Sequence, residues 1–339
     1  MLQMTLTSLK TITKAEVSEP IAQKGEVVIK IARSGICGSD IHAYFDQHPF
    51  IPLPVVPGHE FSGTVAELGE GVSHLKIGDR VTVMPQLYCG ECRNCKIGRY
   101  NICASLKVLG CGVPGSCQEK LAVPANLVLK LPDSMSFDQG AMLEPIAVGI
   151  GACKRATGGV RGKRVLVLGA GTIGNLTAQA AKAMGAESVI IADLIDWRLE
   201  VAKKCGIDHT INPGKVDLPT EITKIWDADG ADVIIECIGV NVIDSAIHYA
   251  RKGTDIVVVG VFSEPCTINM GLIQDKEVSL IGSLMYIEED WLEAIEYVNT
   301  GVVTLEPLIS KHFPLEQLAE AYEYAIENRD TSIKVLVEV

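Results

Sequence analysis

The sequence predicts a two-domain α/β protein: a mostly-β domain and a doubly wound parallel sheet covered by helices on both faces. Three observations carry this. A chain of 339 residues is long for one core, at about one domain per 100 to 200 residues. Over residues 26–130 short apolar runs are punctuated by Gly and Pro, the texture of strands and turns. From about residue 162 onward strand-like bursts alternate with helical stretches, which implies parallel strands joined by crossover helices.

In the first half, residues 27–31, 61–67, 80–84 and 127–131 read as strands. In the second, 164–168 is a buried strand followed by an Ala-rich helix over 172–184, and further strands fall at 188–192, 231–236, 255–259 and 277–281. Trp291, Ile295 and Val298 then share one helical face at i, i+4, i+7, with Gly301 able to close the helix and Glu288, Glu289 and Asp290 suited to its N-terminus. Leu318, Tyr322 and Ala325 mark a second such helix, and 333–337 is the last strand. The change of texture puts a domain boundary near residue 147.

The charge balance narrows the function. With 30 Lys+Arg against 42 Asp+Glu, a net charge of −12 and no basic run, neither nucleic acid nor an anionic membrane surface is the expected partner. Apolar residues come in short bursts, so no segment reads as spanning a bilayer. Met1 to Lys10 lacks a basic region leading into an apolar core, and the expected location is the cytoplasm. In that reducing compartment the 11 cysteines are expected to be metal ligands, nucleophiles or core fillers rather than disulfide pairs.

Gly169-Ala170-Gly171-Thr172-Ile173-Gly174 follows the first strand of the second half and opens its helix. A GxGxxG motif alone is weak evidence, but here it has the strand–turn–helix context it needs. Gly169 permits the tight turn, Gly171 lets backbone approach a pyrophosphate, and Gly174 lets helix and sheet pack closely, while the helix N-terminus offers free N–H groups to phosphate. Nineteen residues past Gly174, at the end of the next strand, Asp193 is positioned to accept hydrogen bonds from adenosine ribose hydroxyls. Its charge repels a 2′-phosphate, and Leu194 and Ile195 offer no Arg to receive one, so NAD is expected over NADP. Arg198 either lies over the adenine or is a surface charge. Cys237-Ile238-Gly239, at the end of another strand, is expected to pass the cofactor through backbone contacts.

Two metal sites follow from the remaining chemistry. Cys89, Cys92, Cys95 and Cys103 form a CxxCxxCx₇C cluster, and four thiolates in one short loop suit a closed tetrahedral structural Zn²⁺. An iron–sulfur reading fits less well, because the last gap is too long for the ferredoxin run and no Pro follows it. Cys37 and the adjacent pair His59-Glu60 come from two distant segments, each beside an expected strand; one thiolate, one imidazole and one carboxylate leave a position open, as catalytic zinc requires.

These residues together resemble the zinc-containing medium-chain dehydrogenases over essentially the whole chain. The match lies in Gly35-Ile36-Cys37-Gly38-Ser39-Asp40-x-His42, Gly58-His59-Glu60, the four-cysteine loop, Glu144-Pro145 and the glycine motif, in the family's order. The segment Glu144-Pro145-Ile146-Ala147-Val148 is similar to the polyol branch, with its sorbitol and threonine dehydrogenases, since classical alcohol dehydrogenases have a cysteine ligand in that region. The resemblance implies a GroES-like mostly-β catalytic domain over 1–146 and 285–339, and a Rossmann NAD-binding domain over 147–284. It implies that Cys37, His59 and Glu60 bind a catalytic zinc, with Glu144 bound to it directly or through its water, and that Asp40 supports His59 or the loop. Two zinc ions per chain, NAD and a homotetramer or dimer are the corresponding expectations.

The implied reaction is oxidation of a secondary alcohol of a polyol, sugar acid or similar small polar metabolite, with Ser39 and His42 relaying the proton to solvent, or Glu144 doing so by exchanging with a zinc-bound water. Threonine-type or amino-alcohol oxidation is an alternative, and a non-catalytic dinucleotide-binding protein a more distant one, since such relatives would be expected to lose the ligands. Departures from the family count against sorbitol itself: Ala43-Tyr44 follows His42 where an aromatic residue is usual directly after the histidine, Cys117 stands where a pocket phenylalanine is common, and Met285-Tyr286 replaces Arg-Tyr. Ser39, Tyr44 and Cys117 are the candidate pocket residues, with Cys117 equally readable as an inert core thiol. Cys111, Cys153, Cys205 and Cys266 lack ligand spacing and are assigned no chemistry.

Overall fold

The computed structural model describes residues 1–48 and 50–339. It divides into two compact units, Met1–Glu144 with Ile309–Val339, and Pro145–Leu308. The first crossing falls close to the expected boundary. The second lies at 308/309 and not at 284/285, so residues 285–308 belong to the second unit. The reason is packing: in the helix Glu288–Asn299, Trp291 is fully buried with its ring 5.5 Å from that of Tyr286. Lys154 also pairs with Asp290 at 2.8 Å and Glu293 at 2.7 Å.

In the first unit the hairpin Leu2–Ser8 and Thr11–Glu16 stands apart from a larger sheet. Across that sheet run Ile309–Pro314, Lys334–Glu338, Glu26–Gly35, Glu60–Leu68, Arg80–Val83 and Val128–Lys130, with Lys120–Pro124 also paired to Glu26–Gly35. The first two are parallel neighbours joined through the helix Leu318–Glu327, whose Leu318, Ala321 and Tyr322 are buried in one apolar cluster with Val335, Val337 and residues of the N-terminal hairpin. The central pair, Glu26–Gly35 and Glu60–Leu68, is antiparallel, with Gly35 opposite Glu60.

The second unit has six parallel strands in the order His209–Ile211, Ser188–Ala192, Arg164–Leu168, Ala231–Glu236, Ala250–Val258, Ser279–Gly282. Val165, Leu166 and Val167 are wholly buried, as strands covered on both faces must be. From Arg164–Leu168 the chain first winds to one side of the sheet and later returns on the other. The switch point, where open α/β sheets bind ligands, therefore lies beside the end of that strand. Among the described residues no helix is long and apolar enough to cross a membrane.

Candidate active site and metal centres

The pairing of Gly35 with Glu60 builds the first site. Cys37 lies two residues beyond the end of one strand, and His59 immediately precedes the start of its neighbour at Glu60, so the antiparallel register brings donors from two distant segments to one edge. One ligand atom each from Cys37, His59 and Glu60 lies within 4.8 Å of the others. Gly35 is required by this closeness, because a Cβ there would stand 2.2 Å from Glu60 Oε2.

The surroundings suit a cation. Glu60 is wholly buried; its Oε2 accepts from Lys334 Nζ at 2.5 Å, while Oε1 has no hydrogen-bond partner. Lys334, 1% exposed, also donates to the Ile36 carbonyl at 3.0 Å. Asp40 accepts the Cys37 N–H at 2.8 Å through Oδ2, which holds the turn, and its Oδ1 faces His59 Nδ1 at 3.7 Å, beyond hydrogen-bond reach. Burial lowers the affinity of His59 for a proton, but Asp40, Cys111 and Cys37 outweigh it and hold the ring well above the ordinary histidine range. A buried nest of sulfur, imidazole and an unpartnered carboxylate oxygen thus attracts positive charge, and its donors fit zinc.

Other expected site residues are arranged around this group. Ser39 and His42, at i and i+3 on the helix Gly38–Tyr44, are half-buried and share a face. Glu144, in the first turn of the helix Leu143–Arg155, is buried and lies outside the three-donor group, although its charge acts on Lys334. Tyr44 and Cys117, expected in the pocket, are buried in the apolar cluster at 5% and 2% exposure. The Tyr44 ring packs 5.3 Å from that of Tyr322, and burial pushes the Cys117 thiol up to about 12, which makes it inert.

The four-cysteine loop forms a second centre. The sulfurs of Cys89 and Cys95 are 3.9 Å apart, Cys92 and Cys95 3.5 Å, Cys92 and Cys103 4.0 Å, and Cys89 and Cys103 3.5 Å. A tetrahedron of thiolates about 2.3 Å from zinc has edges of about 3.8 Å, so the spacing matches an ion and excludes disulfides. All 11 cysteines are free. Backbone N–H groups of Glu91 and Cys92 point at Cys89 Sγ, and that of Ser105 at Cys103 Sγ; such donors favour the thiolate form that a metal needs.

In the second unit Gly171 caps the helix Thr172–Ala183 with nothing within 4 Å of where its Cβ would be, whereas a Cβ on Gly174 would stand 1.8 Å from the Gly169 carbonyl oxygen. One glycine leaves room for a ligand and the other lets the helix meet the turn. Asp193 accepts the Ala170 N–H at 2.7 Å and the Ile195 N–H at 2.8 Å, and Arg198 lies 3.8 Å from it. Thr172 and Ile173 are half-buried in the first turn, and Cys237, Ile238 and Gly239 leave the neighbouring strand at the same edge.

Comparison with known proteins agrees with both halves of this arrangement. Residues 23–133 match the alcohol dehydrogenase GroES-like domain, and residues 172–300 match the zinc-binding dehydrogenase family. The sorbitol dehydrogenase of Bacillus subtilis is 35% identical over 94% of this chain and 91% of its own length. The chain belongs to the zinc-containing medium-chain dehydrogenases. The L-idonate 5-dehydrogenase of Vitis vinifera is 34% identical over 98% of this dehydrogenase and 93% of its own length. Among solved structures, a short chain alcohol dehydrogenase of Escherichia coli CFT073, complexed with NADH, superposes with a TM-score of 0.93 at 31% identity, over 100% of this chain and 99% of its own.

Three residues of the dehydrogenase's first site escape motif reading: Lys334, Cys111 and Tyr322. Cys111 Sγ lies 3.9 Å from His59 Nδ1, and Tyr322 is buried near Asp40, which with burial raises its hydroxyl well above the ordinary range. Only Lys334 leaves a trace in the sequence, as a lone lysine in an apolar terminal strand. Replacing it by Met should cost about 3–5 kcal/mol in chemical denaturation by leaving Glu60 buried and unpaired, with much of the loss recovered when Glu60→Gln is added. At the other site Gly174→Ala should lower stability by about 3 kcal/mol. Gly171→Ala should melt like the unsubstituted protein yet bind NADH more weakly in a fluorescence titration; equal binding would contradict the role given to Gly171.

Proposed function

We propose that the dehydrogenase uses zinc and NAD to oxidise a secondary alcohol of a polyol, sugar acid or similar small polar metabolite to the ketone, reversibly. The observation that carries the reading is the unpartnered, buried Glu60 oxygen grouped with Cys37 and His59, a donor set that leaves a position for substrate. The sorbitol and idonate specificities of two relatives support the substrate class, and the NADH complex of a third supports the cofactor.

Zinc held by Cys37, His59 and Glu60 supplies Lewis acidity, which strengthens an alcohol as an acid and polarises a ketone in the reverse direction. The protein's own residues do the rest. Asp40 fixes the turn at Cys37 and sets a negative charge beside the His59 ring, and Lys334 holds one Glu60 oxygen so that the other stays available. Ser39 and His42, on one helical face, carry the released proton outward. Glu144, outside the three-donor group, acts through water or field on the same centre. Free N–H groups at the helix start after Gly171 bind the pyrophosphate, Asp193 receives the adenosine ribose and disfavours a 2′-phosphate, and Arg198 flanks the adenine side. Cys89, Cys92, Cys95 and Cys103 hold a second, structural zinc. We read the exposed edge strand Ser279–Gly282, with Leu280 38% exposed and Leu284, two residues past its end, 55% exposed, as the surface on which copies of the chain assemble.

A panel of polyols, sugar acids and amino alcohols scored by NADH formation should give turnover with one of the first two classes, and far less with NADP. Cys37→Ala should abolish that turnover, by at least about a thousandfold, while the thermal melt is kept. Turnover retained in Cys37→Ala would remove the Cys37 centre from the reaction.

A further inference from the structure

A buried carboxylate in the second unit has no part in the chemistry above. Glu236 ends the strand Ala231–Glu236 and is wholly buried, and among the described residues no Lys, Arg or His forms an ion pair with it. Its Oε1 accepts the N–H of Ile238 at 2.6 Å and of Gly239 at 2.7 Å; its Oε2 has no hydrogen-bond partner. A desolvated carboxylate is costly where no cation answers it, so an ordinary turn would not be built this way.

What Glu236 holds is a loop pressed onto the glycine motif. The Cys237 N–H donates to the Leu168 carbonyl at 2.9 Å, and a Cβ on Gly169 would lie 2.8 Å from Ile238 Cγ1. The Glu236 carbonyl accepts the N–H of Val259 at 2.9 Å and of Gly260 at 3.2 Å, while a Cβ on Gly260 would lie 2.7 Å from Glu236 Oε2. Thus one residue pins its own loop and the end of the next strand. Ile238, 47% exposed, and Val261, 45% exposed, stand at that edge of the sheet.

Topology says what passes there. Asp193 lies on the Ser188–Ala192 side of Arg164–Leu168, and Glu236 on the opposite side of the same strand. A dinucleotide with its adenosine at Asp193 and its pyrophosphate at the helix start must extend its other half over residues 237–239 and 259–261. We propose that Glu236 is a positioning residue for the cofactor: by accepting both loop N–H groups through one oxygen, it fixes the bed on which the nicotinamide half rests. This rests on the NAD reading above. It goes beyond that reading in giving binding-site geometry to a residue that touches no ligand.

The test separates reach from charge. Glu236→Asp keeps the charge and withdraws the acceptor by one methylene, whereas Glu236→Gln keeps an oxygen at the same reach and loses the charge. NADH titration without substrate should show about a tenfold weaker Kd for Glu236→Asp and a value within about threefold of the unsubstituted protein for Glu236→Gln. Amide exchange at Ile238 and Gly239 should quicken in Glu236→Asp while Leu166 and Ile190 stay protected. Equal NADH affinity in Glu236→Asp, equal weakening in both variants, or exchange quickened throughout the sheet would each overturn the proposal. No NADH binding by the unsubstituted protein would defeat the cofactor reading itself, and the proposal with it.

Discussion

The first site depends on a single constraint, the antiparallel register that sets Gly35 opposite Glu60. Slipping that pairing by one residue would turn Glu60 to the other face of the sheet and part it from Cys37. Gly35 removes the side chain that would occupy the place of the carboxylate, so backbone geometry and donor chemistry are specified by the same two residues. The terminal strand Lys334–Glu338 lies against this pair and brings Lys334 to the carboxylate from the far end of the chain. The whole first unit, including residues 309–339, is thereby tied to one donor group.

Both units place a carboxylate in full burial, and they treat it differently. Glu60 is answered by an ammonium, with one oxygen left over for a metal. Glu236 is answered by backbone N–H groups, those of Ile238 and Gly239 foremost, and among the described residues by no cation. Burying a charge with no counter-charge is unfavourable by several kcal/mol, so Glu236 marks a place where geometry is held at the expense of stability. The four-cysteine loop is the contrasting case: its sulfurs accept backbone N–H groups and stand at the spacing that a bound ion would require, with little hydrophobic core of its own.

Much of this was legible from the sequence because local chemistry is written locally. The glycine motif, the strands flanking it and the CxxCxxCx₇C loop each occupy a few consecutive residues, and their structure follows from spacing. Cys37, His59 and Glu60 were legible only as candidates, since nothing local says that residues about twenty apart meet; resemblance supplied that step and strand register gives its cause. Lys334 shows only as a lone lysine in an apolar strand and Cys111 not at all, because a contact made through tertiary packing has no period and no motif. The burial of Tyr44 and Cys117 is equally hidden, since their positions near His42 and Gly115 in sequence do not reveal that both side chains lie in the apolar cluster. The second crossing lies later than expected because the amphipathic pattern shows that Trp291 is buried but not which unit its helix joins.

The most direct measurement is X-ray absorption at the zinc edge on the purified protein and on Cys103→Ser. The expected result is about two zinc ions per chain, one with four sulfur neighbours near 2.3 Å and one with mixed sulfur, nitrogen and oxygen neighbours, and only the mixed centre surviving in Cys103→Ser. A single ion per chain, or two centres with sulfur alone, would contradict it.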